Sequence, residues 1–347
     1  MYAYVGCRTT KERNANGKGI RVYKIVNGQW QFTQLLSDLI NPSFLCFDET
    51  EKFLYTVHGD FSEISSFSID AATGHLTLLN TVETGGKNPV HLSVDKSNKW
   101  IYVANLETGT VAVVPRNSDG TLKKLKTLYA ISGIKEGSIS HPHQVLQDPS
   151  RNYLLVSCQG RKAGFGQVDV FRINHSTGEM TKTCTTRSRE IAEPRHMVFS
   201  GIQNYCYGVN EKDYSITTYY FDAKIGTLEP KQIVPTLPET YTGDGWASGI
   251  VAGRDGRHIY VSNRKHNSVS VFKVNPENGF VKLQSCILTG GNQPRFITIT
   301  PDGTELVAAN ELSDTIRIFT IDKTTGNLTF SGKEIKTENP VCVVFSK

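Results

Sequence analysis

The strongest constraint on this chain is a pattern that returns seven times at almost equal steps. Its copies are Asn41-Pro42-Ser43, Asn88-Pro89-Val90, His141-Pro142-His143, Glu193-Pro194-Arg195, Trp246-Ala247-Ser248, Gln293-Pro294-Arg295 and Asn339-Pro340-Val341. From the second residue of one copy to the next, the steps are 47, 53, 52, 53, 47 and 46. A period near fifty residues means that one supersecondary unit is stacked repeatedly. No reading that divides the chain into unrelated segments respects it.

Within a unit the pattern is that of short strands. From Ser248 onward, Gly249–Ala252, His258–Ser262 and Ser268–Val274 are short apolar or alternating runs. Arg254–Arg257 and Asn275–Gly279 separate them as turns, with glycine supplying the unusual dihedral. The second turn recurs as Thr73-Gly74, Thr177-Gly178 and Thr325-Gly326, each leading into a fourth strand. No stretch carries a helical period of useful length, so the class is all-β. Four strands per repeat at this spacing is a β-propeller blade. The chain begins in what matches a second strand, Tyr2–Gly6, and ends in what matches a first strand, Val341–Phe345. The two termini therefore share a blade. The expectation is a seven-bladed β-propeller closed by the C-terminal strand, with residues 1–347 as one domain.

Composition narrows the function classes. With 38 Lys and Arg against 33 Asp and Glu, the formal charge is +5 and dispersed. A nucleic-acid binder would carry a basic stripe, so no nucleic-acid partner is expected. The seven cysteines are scattered and contain no Cys-x-x-Cys pair, which reads as reduced thiols without a disulfide framework or a zinc site. The N-terminus enters a strand directly and no apolar run is long enough to span a bilayer, which points to a cytoplasmic protein without a membrane partner. No His-Glu-x-x-His, Gly-x-Ser-x-Gly or Gly-Lys-Ser/Thr motif occurs and no ligand cluster is spaced for zinc, so neither a serine nucleophile nor a tightly held structural metal is expected.

The chemistry gathers in two columns of the repeat. The residue after each Pro opens the first strand, and a residue sixteen places later ends the second. Antiparallel pairing puts these two beside each other at one face of the fold, at the mouth of the central channel. The pairs are Ser43/Gly59, Val90/Leu106, His143/Gln159, Arg195/Glu211, Ser248/Arg264 and Arg295/Glu311. Two are bland, whereas four carry a histidine, three arginines and two acids. A lone surface Glu or Arg is ordinarily just solvated; charges concentrated at one mouth are not. Arg295/Glu311 also suits an ordinary ion pair. His58, one place before the second column, is a further candidate contact. His91 and His196 face the other way and are expected in packing. The basic loop 9–19, with Lys11, Arg13 and Lys18, and the Gly160–Gly166 loop read mainly as solvated connections.

The run Glu193–Phe199 with Tyr205–Glu211, His141–His143 upstream and Tyr260–Arg264 downstream, resembles the seven-bladed lactonase family. That family includes propeller-type 6-phosphogluconolactonases, sugar-acid lactonases and carboxy-cis,cis-muconate lactonizing enzymes. The resemblance covers essentially the whole chain. It implies catalytic positions at His143, Arg195, Glu211 and Arg264 and no metal or cofactor; the columns add Arg295, Gln159, Glu311 and His58 as expected substrate contacts. The substrate it implies is a small anionic lactone, with 6-phosphogluconolactone leading and aldaro-lactones next. Arginine suits a phosphate, a carboxylate or a developing oxyanion. The base is His143 or Glu211; a glutamate between arginines is a weak base, which favours His143. Lactonization of a muconate and a non-catalytic scaffold are the remaining readings. A phosphate would favour an extra cation such as Lys11, Arg13 or Lys265.

Overall fold

A computed structural model describes residues 1–163, 165–201 and 204–346. They form seven four-stranded sheets whose neighbouring strands run antiparallel. The first sheet has the order Pro340–Phe345, Tyr2–Cys7, Gly19–Val26 and Gln29–Ser37, so it combines strands from both ends of the chain. The other six take four consecutive strands each, over 42–83, 89–130, 141–187, 194–235, 247–288 and 294–336. These are blades 1 to 7 below. Tyr2 and Ser346 fasten the shared blade: Ser346 N donates to Tyr2 O at 2.9 Å and Tyr2 N to Ser346 Oγ at 3.0 Å.

The chain forms two compact units. One comprises Met1–Val156, Phe171–Lys182 and Val341–Lys347, the other Ser157–Val170 and Thr183–Pro340. Blades 1 to 3 belong to the first and blades 5 to 7 to the second; blade 4 has residues in each.

Burial grades across each blade as its sequence dictates. Second strands such as His258–Asn263 are buried at every residue, whereas fourth strands such as Leu328–Lys336 expose alternate residues. A strand covered on both faces reads as a continuous apolar run, and a half-covered one alternates. Adjacent blades pack face to face. In the first unit Tyr55 and Val57 meet Leu92, Ile101 and Val103. In the second unit Tyr207 and Val209 meet Ile250, Ile259 and Val261.

A tyrosine clasp joins neighbouring blades. The second-strand hydroxyl of Tyr4 donates to Gly74 O at 2.9 Å, Tyr55 to Gly120 O at 3.1 Å, and Tyr102 to Gly178 O at 3.3 Å. In the second unit Tyr207 donates to Gly279 O at 2.7 Å and Tyr260 to Gly326 O at 2.9 Å. Each acceptor sits at a turn glycine of the next blade. Gly326 has φ +70°, and a Cβ there would lie 2.4 Å from the His258 ring. Left-handed backbone and close approach together require glycine. The Thr-Gly turn is thus both a reversal and the receptor for its neighbour's tyrosine.

The only helical segments among the described residues are the short turns Lys11–Arg13, Arg161–Ala163 and Glu311–Ser313. No helix of the described residues is long and apolar enough to cross a membrane. The seven cysteines form no disulfide among the described residues, and Cys7, Cys158, Cys206 and Cys342 are buried. The Gly160–Gly166 loop connects two strands of blade 4, with residue 164 outside the described residues.

Removing a clasp hydroxyl leaves a buried carbonyl without its donor, which costs about 1–3 kcal/mol. Tyr260→Phe should therefore lower the unfolding free energy by that amount in urea denaturation. Tyr2→Phe, whose hydroxyl makes an exposed bond to Ala72 O, should fall within about 0.5 kcal/mol of wild type.

Candidate active site

One backbone device sets both columns. The residue before the Pro takes a left-handed φ: 41° at Asn41, 56° at Asn88, 57° at Glu193, 61° at Gln293 and 42° at Asn339. Its carbonyl accepts the N–H that ends the second strand, as in Glu211 N to Glu193 O at 2.9 Å and Glu311 N to Gln293 O at 3.0 Å. The ladder then skips the residue after the Pro. Pro194 pairs with Asn210 and His196 with Val209, so Arg195 is a bulge. Arg295, Ser43 and Val90 are bulged in the same way. A bulge frees its side chain from strict alternation and re-aims it. Every first-column candidate in these blades therefore occupies a position the sheet itself leaves unpaired.

In the second unit the device assembles a dense polar cluster about Glu211. Arg264 Nη2 donates to Glu211 Oε1 at 2.5 Å, and Trp246 Nε1 to the same oxygen at 2.9 Å. Gln159 Nε2 donates to Oε2, and Arg195 Nε lies 3.5 Å from it. The Arg264 guanidinium stacks on the Trp246 ring, 3.8 Å from its centroid, and donates to Ala247 O at 2.9 Å. Arg195 Nη1 donates to Ser248 O at 2.9 Å. Arg195 and Arg264 are 3% and 2% exposed. The Nε of each has no hydrogen-bond partner among the described residues. Arg195 thus keeps donor capacity beyond its carbonyl bond. Beside it, Arg295 is half-exposed, 3.8 Å from Glu311, and Gln293 Nε2 donates to Glu311 at 2.9 Å.

Electrostatics assigns states to these groups. Burial alone would push the Glu211 carboxyl up, but Arg264 and Arg195 beside it, with the Arg264 hydrogen bond and Arg295, bring it from 4.5 down to about 2. It is an anchored anion and a poor proton acceptor. Burial also disfavours charge on Arg195, and Arg264 and Arg295 add to this, while Glu211 and Glu311 oppose it. Glu193 goes the other way, raised by burial and by the nearby Glu211 charge.

Several expected contacts take different roles. His58 is a structural residue: Nδ1 bonds Ile40 O and Nε2 bonds Ser65 Oγ, both at 2.7 Å. It stands one place before the second column, where Asn105, Asn210, Asn263 and Asn310 tie their own blades together, and this accounts for its burial. Gln159 orients Glu211 while its own Oε1 accepts from Arg161 Nε at 3.2 Å. Glu311 braces Gln293 and Arg295. Arg264 reaches Glu211, not the Ser248 side chain paired with it by spacing. Arg13 is held by Asp60 in the first unit, with Nε to Oδ2 at 2.8 Å, and Lys265 by Asp244 at 2.7 Å. Both extra cations are therefore already paired. His143 is buried in the strand His141–Gln147 of the first unit. His91 packs against Phe44, ring centroids 3.9 Å apart.

Three residues escaped the column reading. Trp246 interrupts the Pro pattern, and that exception was its signal. Arg8, 3% exposed, ends the second strand of the shared blade. Extending the columns to Val341 reaches it; in the structure its Nη1 lies 3.5 Å from Asp60. Glu193, as the residue before the Pro, lies just outside both columns.

Repeated blades with bulged polar residues beside strand-ending charges define the class: a seven-bladed β-propeller of enzymatic type. A family model described as "Lactonase, 7-bladed beta-propeller" matches residues 2–345, and the chain belongs to that family. Among curated relatives, a 6-phosphogluconolactonase of Bacillus subtilis is 29% identical, covering 90% of this chain and 89% of its own. One of Pectobacterium carotovorum is 30% identical over 80% of each. A solved structure from Bacteroides fragilis superposes with TM-score 0.87 at 30% identity, covering 100% of this chain and 98% of its own.

Glu211 makes acid stability diagnostic. Because its folded pKa lies below the ordinary value, its contribution is complete above about pH 4.5 and is lost as pH falls through about 2. The loss should approach about 3 kcal/mol. Glu211→Gln should lack that acid arm in urea titrations at pH 7 and pH 3. At pH 7 it should be destabilised by about 3–5 kcal/mol, because Arg195 and Arg264 lose their countercharge.

Proposed function

We propose that this protein hydrolyses an anionic sugar lactone, with 6-phosphogluconolactone as substrate and 6-phosphogluconate as product. The observation that carries the proposal is the buried Arg195, whose Nη1 is held by Ser248 O while its Nε, 3.5 Å from Glu211, makes no hydrogen bond among the described residues. A preorganised, always-charged donor in a site of low water access suits an oxyanion or a bound phosphate. The names of the relatives at about 30% identity support the choice of lactone.

Hydrolysis of a lactone breaks the ring C–O bond. Water attacks the carbonyl carbon while its proton passes to a base. The carbonyl oxygen becomes an oxyanion facing Arg195. Collapse of this intermediate expels the ring oxygen, which takes the proton back. The base is assigned to His143, which occupies the same column of the repeat as Arg195, since an imidazole exchanges protons near neutral pH. Glu211 serves as the fixed countercharge that aims Arg195 and Arg264, with Trp246 and Gln159 setting its rotamer. Arg295, the most exposed of the three arginines, receives the anionic substituent.

The test is lactone opening at slightly acidic pH, where the spontaneous reaction is slow, comparing 6-phosphogluconolactone with glucaro- and galactaro-lactones. Arg195→Lys keeps the charge but loses the planar fork, and kcat should fall about 10²–10³-fold. Wild-type activity should rise with pH as the imidazole deprotonates, and His143→Gln should remove that dependence along with most of the rate. Preference for an aldaro-lactone would transfer the reading to another sugar acid. No acceleration of any lactone would overturn it in favour of muconate cycloisomerisation or a scaffold.

A further inference from the structure

A second site is marked by a cavity at the junction of two blades. Where a fourth strand gives way to the next blade, a Thr backbone N–H bonds a carbonyl near the start of its own third strand. Thr84 N donates to Ser62 O, Thr236 N to Tyr214 O and Thr289 N to Asn267 O, each at 2.8 Å. Ser188 N takes this position at the end of blade 4, donating to Gly166 O at 2.9 Å. The Thr hydroxyl then reaches the buried Asn that ends the next blade's second strand: Thr84 Oγ1 donates to Asn105 Oδ1 at 2.9 Å, and Thr236 Oγ1 to Asn263 Oδ1 at 2.7 Å. Two junctions depart from this: Thr289 Oγ1 donates to Asn267 O at 3.1 Å, and at the end of blade 4 the Ser188 hydroxyl turns to Arg189 O at 3.0 Å.

The consequence is an unpartnered acceptor in a cavity. Asn210 is 1% exposed; its Nδ2 donates to Ser215 Oγ at 2.8 Å and Thr217 Oγ1 at 2.9 Å. Its Oδ1 has no hydrogen-bond partner among the described residues. A buried carbonyl left so costs about 1–3 kcal/mol, and such groups point to something that completes them. Asn310 Oδ1 likewise has no hydrogen-bond partner among the described residues, but Asn310 lines no cavity of this kind. Asn210 instead lines a cavity of about 290 Å³ with Ser188, Thr217 and Tyr219. One water occupies roughly 30 Å³, so this space is a small-molecule volume.

The rim supplies the second half of a recognition code. Arg187, Arg189 and Lys231 line the same cavity. Arg189 is paired with Asp213 at 2.5 Å and Lys231 with Glu229 at 2.6 Å. Arg187 carries no ion pair among the described residues. The site therefore offers one buried acceptor, which requires a donor such as a hydroxyl, and one uncommitted guanidinium, which requires an anion.

We propose that this cavity of blades 4 and 5 is a binding site, apart from the Glu211 cluster, for a small polyhydroxylated anion: a sugar acid or sugar phosphate. A ligand hydroxyl donates to Asn210 Oδ1 while its carboxylate or phosphate meets Arg187, and Tyr219 and Ile233 pack against its carbon face. The site stands independently of the lactonase reading.

Calorimetric titration of the full chain with 6-phosphogluconate, gluconate and inorganic phosphate tests it. Ser188→Thr installs the residue that closes the equivalent position in other blades. It should weaken the binding of at least one polyhydroxylated probe tenfold or more while leaving lactone turnover unchanged. Arg187→Ala, an exposed change that leaves Asn210 in place, should do the same. Arg195→Lys should leave this binding intact. Binding of 6-phosphogluconate alone would assign a sugar phosphate, and binding of gluconate as well a sugar acid; both support the site. Polyol binding unaffected by both variants, or inorganic phosphate bound as tightly as the polyols, would overturn it. An enzyme inactive on every lactone but still showing binding sensitive to Ser188→Thr would refute the proposed activity and keep this site.

Discussion

The structure depends on one extra residue in the first strands of blades 2, 3, 5 and 7. After the left-handed residue and the Pro, the first strand carries a residue that the ladder does not pair. Its side chain is consequently free to be large, charged and directed at the end of the second strand. In blades 2 and 3 the position holds Ser43 and Val90, neither of them charged. In blades 5 and 7 it holds Arg195 and Arg295. The scaffold repeats a socket, and function comes from what a few sockets contain. Left-handed φ is easy for Asn41, Asn88 and Asn339 but less so for Glu193 and Gln293. Backbone strain accordingly falls in the blades whose side chains matter most.

Burying two guanidiniums is expensive unless they are paired, and Glu211 is the group that makes it possible. Three donors converge on its carboxylate from Gln159, Trp246 and Arg264, and the Arg195 guanidinium stands 3.5 Å away. The same convergence that holds it ionised disqualifies it as a proton acceptor. The environment thus fixes its state: an anion that stays ionised near neutrality positions the arginines. Stability and activity are coupled here, because the charge that braces the cluster also keeps Arg195 aimed.

Much of this was legible in the residues. The period, the Thr-Gly turns and the alternation are local, so strands, sheets and the shared terminal blade followed from spacing. Arg195, Glu211, Arg264 and Arg295 were found because register converts sequence distance into proximity. Trp246 was not, because its exception to the Pro pattern looked like decay of the repeat. His58 was assigned outward because histidine suggests chemistry, yet its position is that of a buried structural Asn. Arg8 escaped because its partner column begins at the other end of the chain.

What the sequence determined by itself was the repeat, the pairing within each blade and the list of residues able to carry charge at the strand ends. Those are consequences of short-range periodicity, which a chain carries wherever it is read. Only tertiary structure decided which charges satisfy one another and which retain capacity. It showed that Gln159 and Trp246 fix Glu211, that Arg13 and Lys265 are already paired, and that Ser188 leaves Asn210 unanswered. A hydrogen bond depends on angstrom-scale distance and direction between blades, and no spacing along one chain encodes those directly.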